Sequence, residues 1–240
     1  GARPAVGVRC GAAVRRVRAE GGGRSGAAGL QGGPVARAGL EAAECARAAP
    51  SAHRCTEMSP TTAEQGRRSL GDAAGRILDA GAADVGIEST VLGLWGPTPV
   101  LLRPGTLSIE SLESIVGPIQ RSTFNSGSNE PQRSPGLGER HYAPNARVVL
   151  FQSAERPEIQ SEVSRLLRAG RRVGALVLET APLAGVSSRP MPLNPLAYAR
   201  LLYAELHALD AIGCEVIFIE QVPDASNWDG VRDRPRRAAH

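Results

Sequence analysis

The clearest periodicity lies in the second half of the chain. Pro157–Ala169 sets Ile159, Val163, Leu166 and Leu167 on one helical face, and Gly170 supplies the stop. Ala197–Ile212 repeats the pattern with Leu202, Leu206 and Leu209. Around these helices fall short apolar runs, Val148–Phe151, Val173–Leu178 and Val216–Ile219, which read as buried strands. A last helix is predicted from Trp228 onward, with Pro235 expected to shorten or kink it. Strands alternating with helices predict a mainly parallel, three-layer α/β domain.

The pattern upstream is weaker. Ser89–Leu94 and Val100–Arg103 read as strands joined by a WGPTP turn. Ser108 caps a short helix, Ile109–Val116, which Gly117 ends. Thr61–Glu64 opens another helix, with Thr61 or Thr62 as its cap. Arg121–Arg133 is polar, with Ser, Asn, Gly and Pro, and is expected to be mobile. Ser134–Asn145 (SPGLGERHYAPN) has no apolar periodicity, so it reads as a linker with an exposed-type Tyr. Its polar residues are nevertheless too particular for a passive spacer.

Residues 1–47 show neither period and are built almost wholly from Gly, Ala, Arg, Val, Pro, Glu and Leu. Such a segment cannot offset its ordering entropy with a core. It is expected to be an out-of-frame translation of GC-rich DNA joined in frame near Ala48, with an Arg-rich targeting segment as the alternative. Its GGGRSG (Gly21–Gly26) matches a dinucleotide fingerprint by chance, since no strand precedes it and no partner acid follows at the required distance.

Composition narrows the class. Hydrophobic residues at 42% and charged residues at 22% are those of a soluble globular chain, and 240 residues suffice for one large or two small domains. No run approaches a membrane span. The net charge of +4 is concentrated in residues 1–50, which carry eight Arg and three Glu, so the rest sums to −1 and marks no RNA-binding face. All 28 basic residues are Arg, so no mechanism that needs Lys is complete here. Cys10, Cys45, Cys55 and Cys214 show neither a CxxC pair nor zinc spacing, which fits a reducing cytosol.

Four positions carry candidate chemistry. Arg103, in LLRPG, lies where a strand meets a Pro-Gly turn; a guanidinium there can grip a phosphate, or can be an ordinary surface strand end. Ser89, in IEST, is a compact donor and acceptor at a strand start, and Glu88 beside it is a candidate for orienting polar groups or a metal. Tyr142, beside Arg140 and His141, is either the aromatic tip of a lid or a pin for the linker.

GIEST (Gly86–Thr90), VLLRPG (Val100–Gly105), the SPGLGERHYAPN linker, and YARLLYAELHALDAIG with the terminal DRPRRAA occur in one order. Together they resemble the Sua5 branch of the Sua5/YciO/YrdC family, from about Ala48 to the C-terminus. The resemblance implies the distal part of a YrdC-like α/β twisted-sheet domain over 48–120, a linker over 121–146, and a Rossmann-like three-layer α/β Sua5 domain over 147–240. It implies an L-threonylcarbamoyladenylate synthase, a nucleotidyltransferase acting in modification of the tRNA adenosine next to the anticodon. The implied substrates are ATP, L-threonine and bicarbonate, with Mg2+ accompanying ATP. Implied partners are tRNA or double-stranded RNA and the downstream threonylcarbamoyl transferase machinery, in the cytoplasm and without a membrane.

Residue by residue, the resemblance implies ATP contacts at Ser51, Ser59, Arg103 and Tyr142, and threonine contacts at Ala49 and Ser89. It implies no catalytic nucleophile and no protein metal ligand. His53 stands where the family pattern APSAN has Asn. The family's Y-P-T-E-T-Y-G-L-type threonine-binding stretch and its K-x-R pair are absent, so this chain is expected to be a poor enzyme. The alternative is a non-catalytic nucleotide- or RNA-binding remnant.

Overall fold

The computed structural model describes residues 53–239 apart from 55, 76, 95, 122–141 and 180. The readings for residues 1–47, for Ala49 and Ser51, and for most of the linker lie outside the described residues. The elements run α1 (Ala63–Leu70), β1 (Val91–Gly93), β2 (Val100–Arg103), α2 (Ile109–Val116), β3 (Gln120–Arg121), β4 (Arg147–Phe151), α3 (Arg156–Arg168), β5 (Val173–Leu178), β6 (Ser187–Met191), α4 (Pro195–Ala211), β7 (Val216–Glu220) and α5 (Asp229–Ala238).

The C-terminal part is the layered α/β domain that the periodicity predicts. Its four strands are all parallel in the order β4-β7-β5-β6. The pleat sorts β5 into two faces. Val173, Ala175 and Val177 join Phe151, Val163 and Phe218 in a core under α3. Leu176 and Leu178 join Ile217, Ile219, Tyr198, Leu202, Leu206 and Leu209 in a second core under α4 and α5. β6, sequence SSRPM, is not read from the sequence as a strand. It lies at the sheet edge, where Pro190 costs no ladder bond to a further neighbour.

The smaller part has a three-stranded sheet, β1-β2-β3, with β1 and β2 antiparallel and β2 and β3 parallel. β3 was not anticipated either; its Arg121 lies where the linker was expected to begin. Thr62 caps α1, its hydroxyl accepting from Gln65 N, and Ser108 caps α2 through Ser111 N. α5 is not cut short at Pro235; it continues to Ala238. Pro235 lies on the buried face with Val231 and Ala238, and so near the C-terminal end its missing N–H frees only one carbonyl.

The two parts touch main chain to main chain. A Cβ on Gly86 would lie 2.2 Å from Ala199 O on α4, and one on Gly230 of α5 would lie 2.1 Å from Gly105 O. Met58 and Ile87 of the smaller part accordingly belong to the core under α4.

Candidate functional site

The polar residues of the smaller part converge at this contact. Ser59 precedes α1, Glu88 and Ser89 precede β1, and Arg103 closes β2. Tyr142 enters from the linker side with φ 60°, a left-handed conformation uncommon for a bulky residue. The two residues after it start a chain anchored on both sides. Ala143 N donates to Thr56 O at 3.1 Å, and the Asp210 carboxylate accepts from Asn145 N, Asn145 Nδ2 and Ala146 N.

Arg103 is 8% exposed. Its Nε donates to Ser89 O at 3.2 Å and its Nη1 donates to Tyr142 Oη at 2.9 Å. The Tyr142 expected to be exposed is therefore buried, because a guanidinium satisfies its hydroxyl while its ring packs 6.1 Å from that of Tyr203. Burial, with the Glu88 charge nearby, raises the Tyr142 phenol above its ordinary value despite Arg103 and Arg234.

Glu88 is the centre of the cluster. Its Oε1 accepts the Ser59 hydroxyl, and its Oε2 accepts from Arg234 Nε at 2.7 Å and Tyr203 Oη at 3.3 Å. Burial pushes its carboxyl up, but the Arg234 charge and the hydrogen bonds outweigh burial and hold it below its ordinary value. Ser59 is buried as well: its carbonyl accepts from His207 Nε2 at 3.2 Å, and its Oγ lies 3.2 Å from His53 Nε2. His53 Nδ1 lies 2.9 Å from Arg54 O. Burial lowers the His207 imidazole.

Four residues singled out in the sequence, Ser59, Ser89, Arg103 and Tyr142, thus meet in one place, with Ser89 entering through its carbonyl. Ala49 and Ser51 lie outside the described residues. Glu88 orients polar groups, the first of its two readings. The metal reading has no support: both oxygens are engaged, and among the described residues no group of three or more His, Cys, Asp or Glu could hold an ion.

Sequence reasoning missed Arg234, Tyr203 and His207. Arg234 was legible in principle, since it shares a helical face with Val231, Pro235 and Ala238, and an Arg on an apolar stripe needs a buried partner. Tyr203 and His207 sit on α4 among core residues, and nothing in their spacing separates them from packing.

Residues 107–240 match the family described as the C-terminal domain of threonylcarbamoyl-AMP synthase. A threonylcarbamoyl-AMP synthase of Bacillus subtilis (strain 168) is 35% identical over 186 residues, covering 75% of this chain and 53% of the relative. The crystal structure of Pyrococcus abyssi Sua5 complexed with L-threonine matches with a TM-score of 0.72 and 30% identity, over 83% of this chain and 59% of that one. A variant of that protein with a consecutive His-Tyr pair replaced by alanines matches with a TM-score of 0.76 and 28% identity, over 86% and 60%. The chain spans about half the length of the curated relatives it matches.

Proposed function

Since the chain belongs to the family of Sua5-type threonylcarbamoyl-AMP synthases, we propose that it carries the distal part of the YrdC-like catalytic domain, the linker and the Sua5 domain of such an enzyme. The reaction is the joining of L-threonine, bicarbonate and ATP into threonylcarbamoyl-AMP, with release of pyrophosphate, for tRNA modification in the cytoplasm. The observation that carries the reading is the convergence of Ser59, Ser89, Arg103 and Tyr142 around Glu88.

In this reaction threonine nitrogen is first carboxylated, and a carboxylate oxygen of the product attacks the α-phosphorus as pyrophosphate leaves. No protein nucleophile is required; the protein positions the reactants, neutralises phosphate charge and excludes water. Arg103 suits charge neutralisation: it sits at a strand end, half-shared with a tyrosine hydroxyl that a phosphate oxygen can replace as acceptor. Tyr142 then serves as the aromatic cover of the site, in keeping with the His-Tyr pair at 141–142. Ser59 gives its proton to Glu88, so toward a ligand it presents lone pairs and suits an N–H donor. Ser89 is the candidate threonine contact, and Ser51 and Ala49 complete the set by resemblance. Mg2+ is expected to arrive with the nucleotide, as ATP chemistry implies. Among the described residues no helix is long and apolar enough to cross a membrane.

Pyrophosphate release from ATP, with and without threonine and bicarbonate, tests the reading. Without any Lys and without the threonine-binding stretch, the chain is expected to release pyrophosphate several powers of ten more slowly than the B. subtilis relative. Release that ignores threonine and bicarbonate would remove the synthase reading. RNA binding that weakens steeply with salt, with no such chemistry, would favour a non-catalytic remnant.

A further inference from the structure

The last helix contributes a side chain to this site from the other domain. Arg234 is 1% exposed. Its Nε donates to Glu88 Oε2 at 2.7 Å, its Nη2 to Glu88 O at 3.0 Å, and its Nη1 to Pro104 O at 2.9 Å and Asp233 Oδ2 at 2.8 Å. The guanidinium carbon lies 5.8 Å from the Tyr142 ring centroid. A guanidinium buried this deeply is tolerated only when its N–H groups are matched, and apart from Asp233 every match comes from the smaller part.

We infer that Arg234 is a positioning residue of the synthase site, which fixes the spacing between the Glu88–Thr90 and Arg103–Gly105 segments and keeps the Glu88 carboxylate turned onto Ser59. The inference rests on the synthase reading above, since it takes Ser59, Ser89 and Arg103 as the residues that meet substrate.

Two arginines stitch the segments together. Arg234 takes Glu88 O and Pro104 O, and Arg103 takes the intervening Ser89 O. Arg103 spends one donor on a hydroxyl, whereas Arg234 is committed to two carbonyls and two carboxylates. A planar fork spans these acceptors; the single ammonium of a Lys does not. The charge has a second effect. While Glu88 is ionised it can only accept, so the Ser59 proton points to it and the Ser59 lone pairs face away from it, on the side of His53 Nε2 at 3.2 Å. A neutral Glu88 could donate instead and release the Ser59 proton to another acceptor.

The groups facing Glu88 are Ser59, with His53 behind it, Tyr203 of α4, Arg234 of α5, and, at longer range, Tyr142, which Arg103 holds. His207 of α4 and Asp233 of α5 touch Ser59 and Arg234 in turn. Of these, Arg234 supplies the largest opposing charge.

The test uses the full chain with R234M, R234K, E88Q and the R234M/E88Q double variant. Carbon-13 NMR follows the carboxyl resonance that E88Q removes. In R234M it is expected to titrate at higher pH than in the parent, since the largest charge opposing burial is then gone; an unchanged midpoint overturns the inference. Calorimetry of L-threonine and of ATP between pH 5 and 8 is the second readout. R234M is expected to bind about tenfold more weakly at the acid end and to recover as pH rises, with R234K partly restoring the parent and R234M/E88Q flat. A loss equal at all pH values and unrelieved by Lys reduces Arg234 to a packing role and overturns the inference. If R234M does not fold, E88Q decides: unchanged affinity and pH dependence overturn it. A parent chain that binds neither ligand removes the synthase reading for this chain, while the carboxyl titration still decides the Arg234–Glu88 link.

Discussion

The C-terminal domain buries apolar side chains against both faces of its sheet, while among the described residues the smaller part's own core cluster is Leu101, Leu112 and Ile119, with Leu92 and Ile109 packed on it. A core that small cannot offset the ordering of the residues around it. The smaller part makes up the difference by lending Met58 and Ile87 to the larger core and by resting its backbone on α4 and α5. The polar cluster spans the contact, with Ser59, Glu88, Ser89 and Arg103 from the smaller part and Tyr203, His207 and Arg234 from α4 and α5. The C-terminal domain acts as the template on which the site is assembled.

The largest effect that bears on this contrast is expected from Leu202→Ala. Leu202, on α4, is fully buried, and its truncation should cost about 2–5 kcal/mol. In chemical denaturation followed by the fluorescence of Trp95 and Trp228 and by circular dichroism, both parts should unfold in one transition at lower denaturant. A smaller part that keeps its structure after the larger has melted would break the comparison.

Gly230→Ala should separate the two parts instead. Its methyl has no room against Gly105 O, and the shift should cost about 1–3 kcal/mol at the contact alone. Limited proteolysis should then cut within residues 56–121 and leave 147–239 intact. Equal resistance of both regions would show that α5 yields without undocking.

The smallest effect is expected from acid. His207 is held below its ordinary 6.5, so the unfolded chain takes up the proton first. Its contribution is whole above 6.5 and is lost as pH falls through the lowered folded value. Glu88 is held below its ordinary 4.5, so its contribution is whole above 4.5 and is lost as pH falls through its own lowered value. Melting temperature against pH should therefore fall in two stages, the first absent in His207→Asn and the second reduced in Glu88→Gln. A single stage unaffected by either substitution would place the acid lability elsewhere.

The contrast also governs what the sequence makes legible. The helices α3 and α4 and the strands β4, β5 and β7 announce themselves because each buries a face, and burial writes a period. β6 escapes notice because an edge strand tolerates Ser, Arg and Pro. β3 escapes because two residues carry no period. Ser59, Ser89, Arg103 and Tyr142 were found through a resemblance of short motifs, and no spacing between them predicts that they meet. Arg234 and Tyr203 join them through a fold in which residues 88 and 234 become neighbours, and that is a tertiary fact. Tyr142 was misjudged as exposed because linker composition says nothing about one side chain held by Arg103.

Contacts made of side chains can be retuned, since a lost methyl on one surface can be answered by a gained one on the other. The contacts at Gly86 and Gly230 have no such freedom, because a carbonyl lies where the Cβ would be. The pairing of the two parts is thus specified by the path of the main chain. A chimera that grafts this C-terminal domain onto another partner domain should succeed or fail on the curvature of that partner's backbone before any surface residue matters.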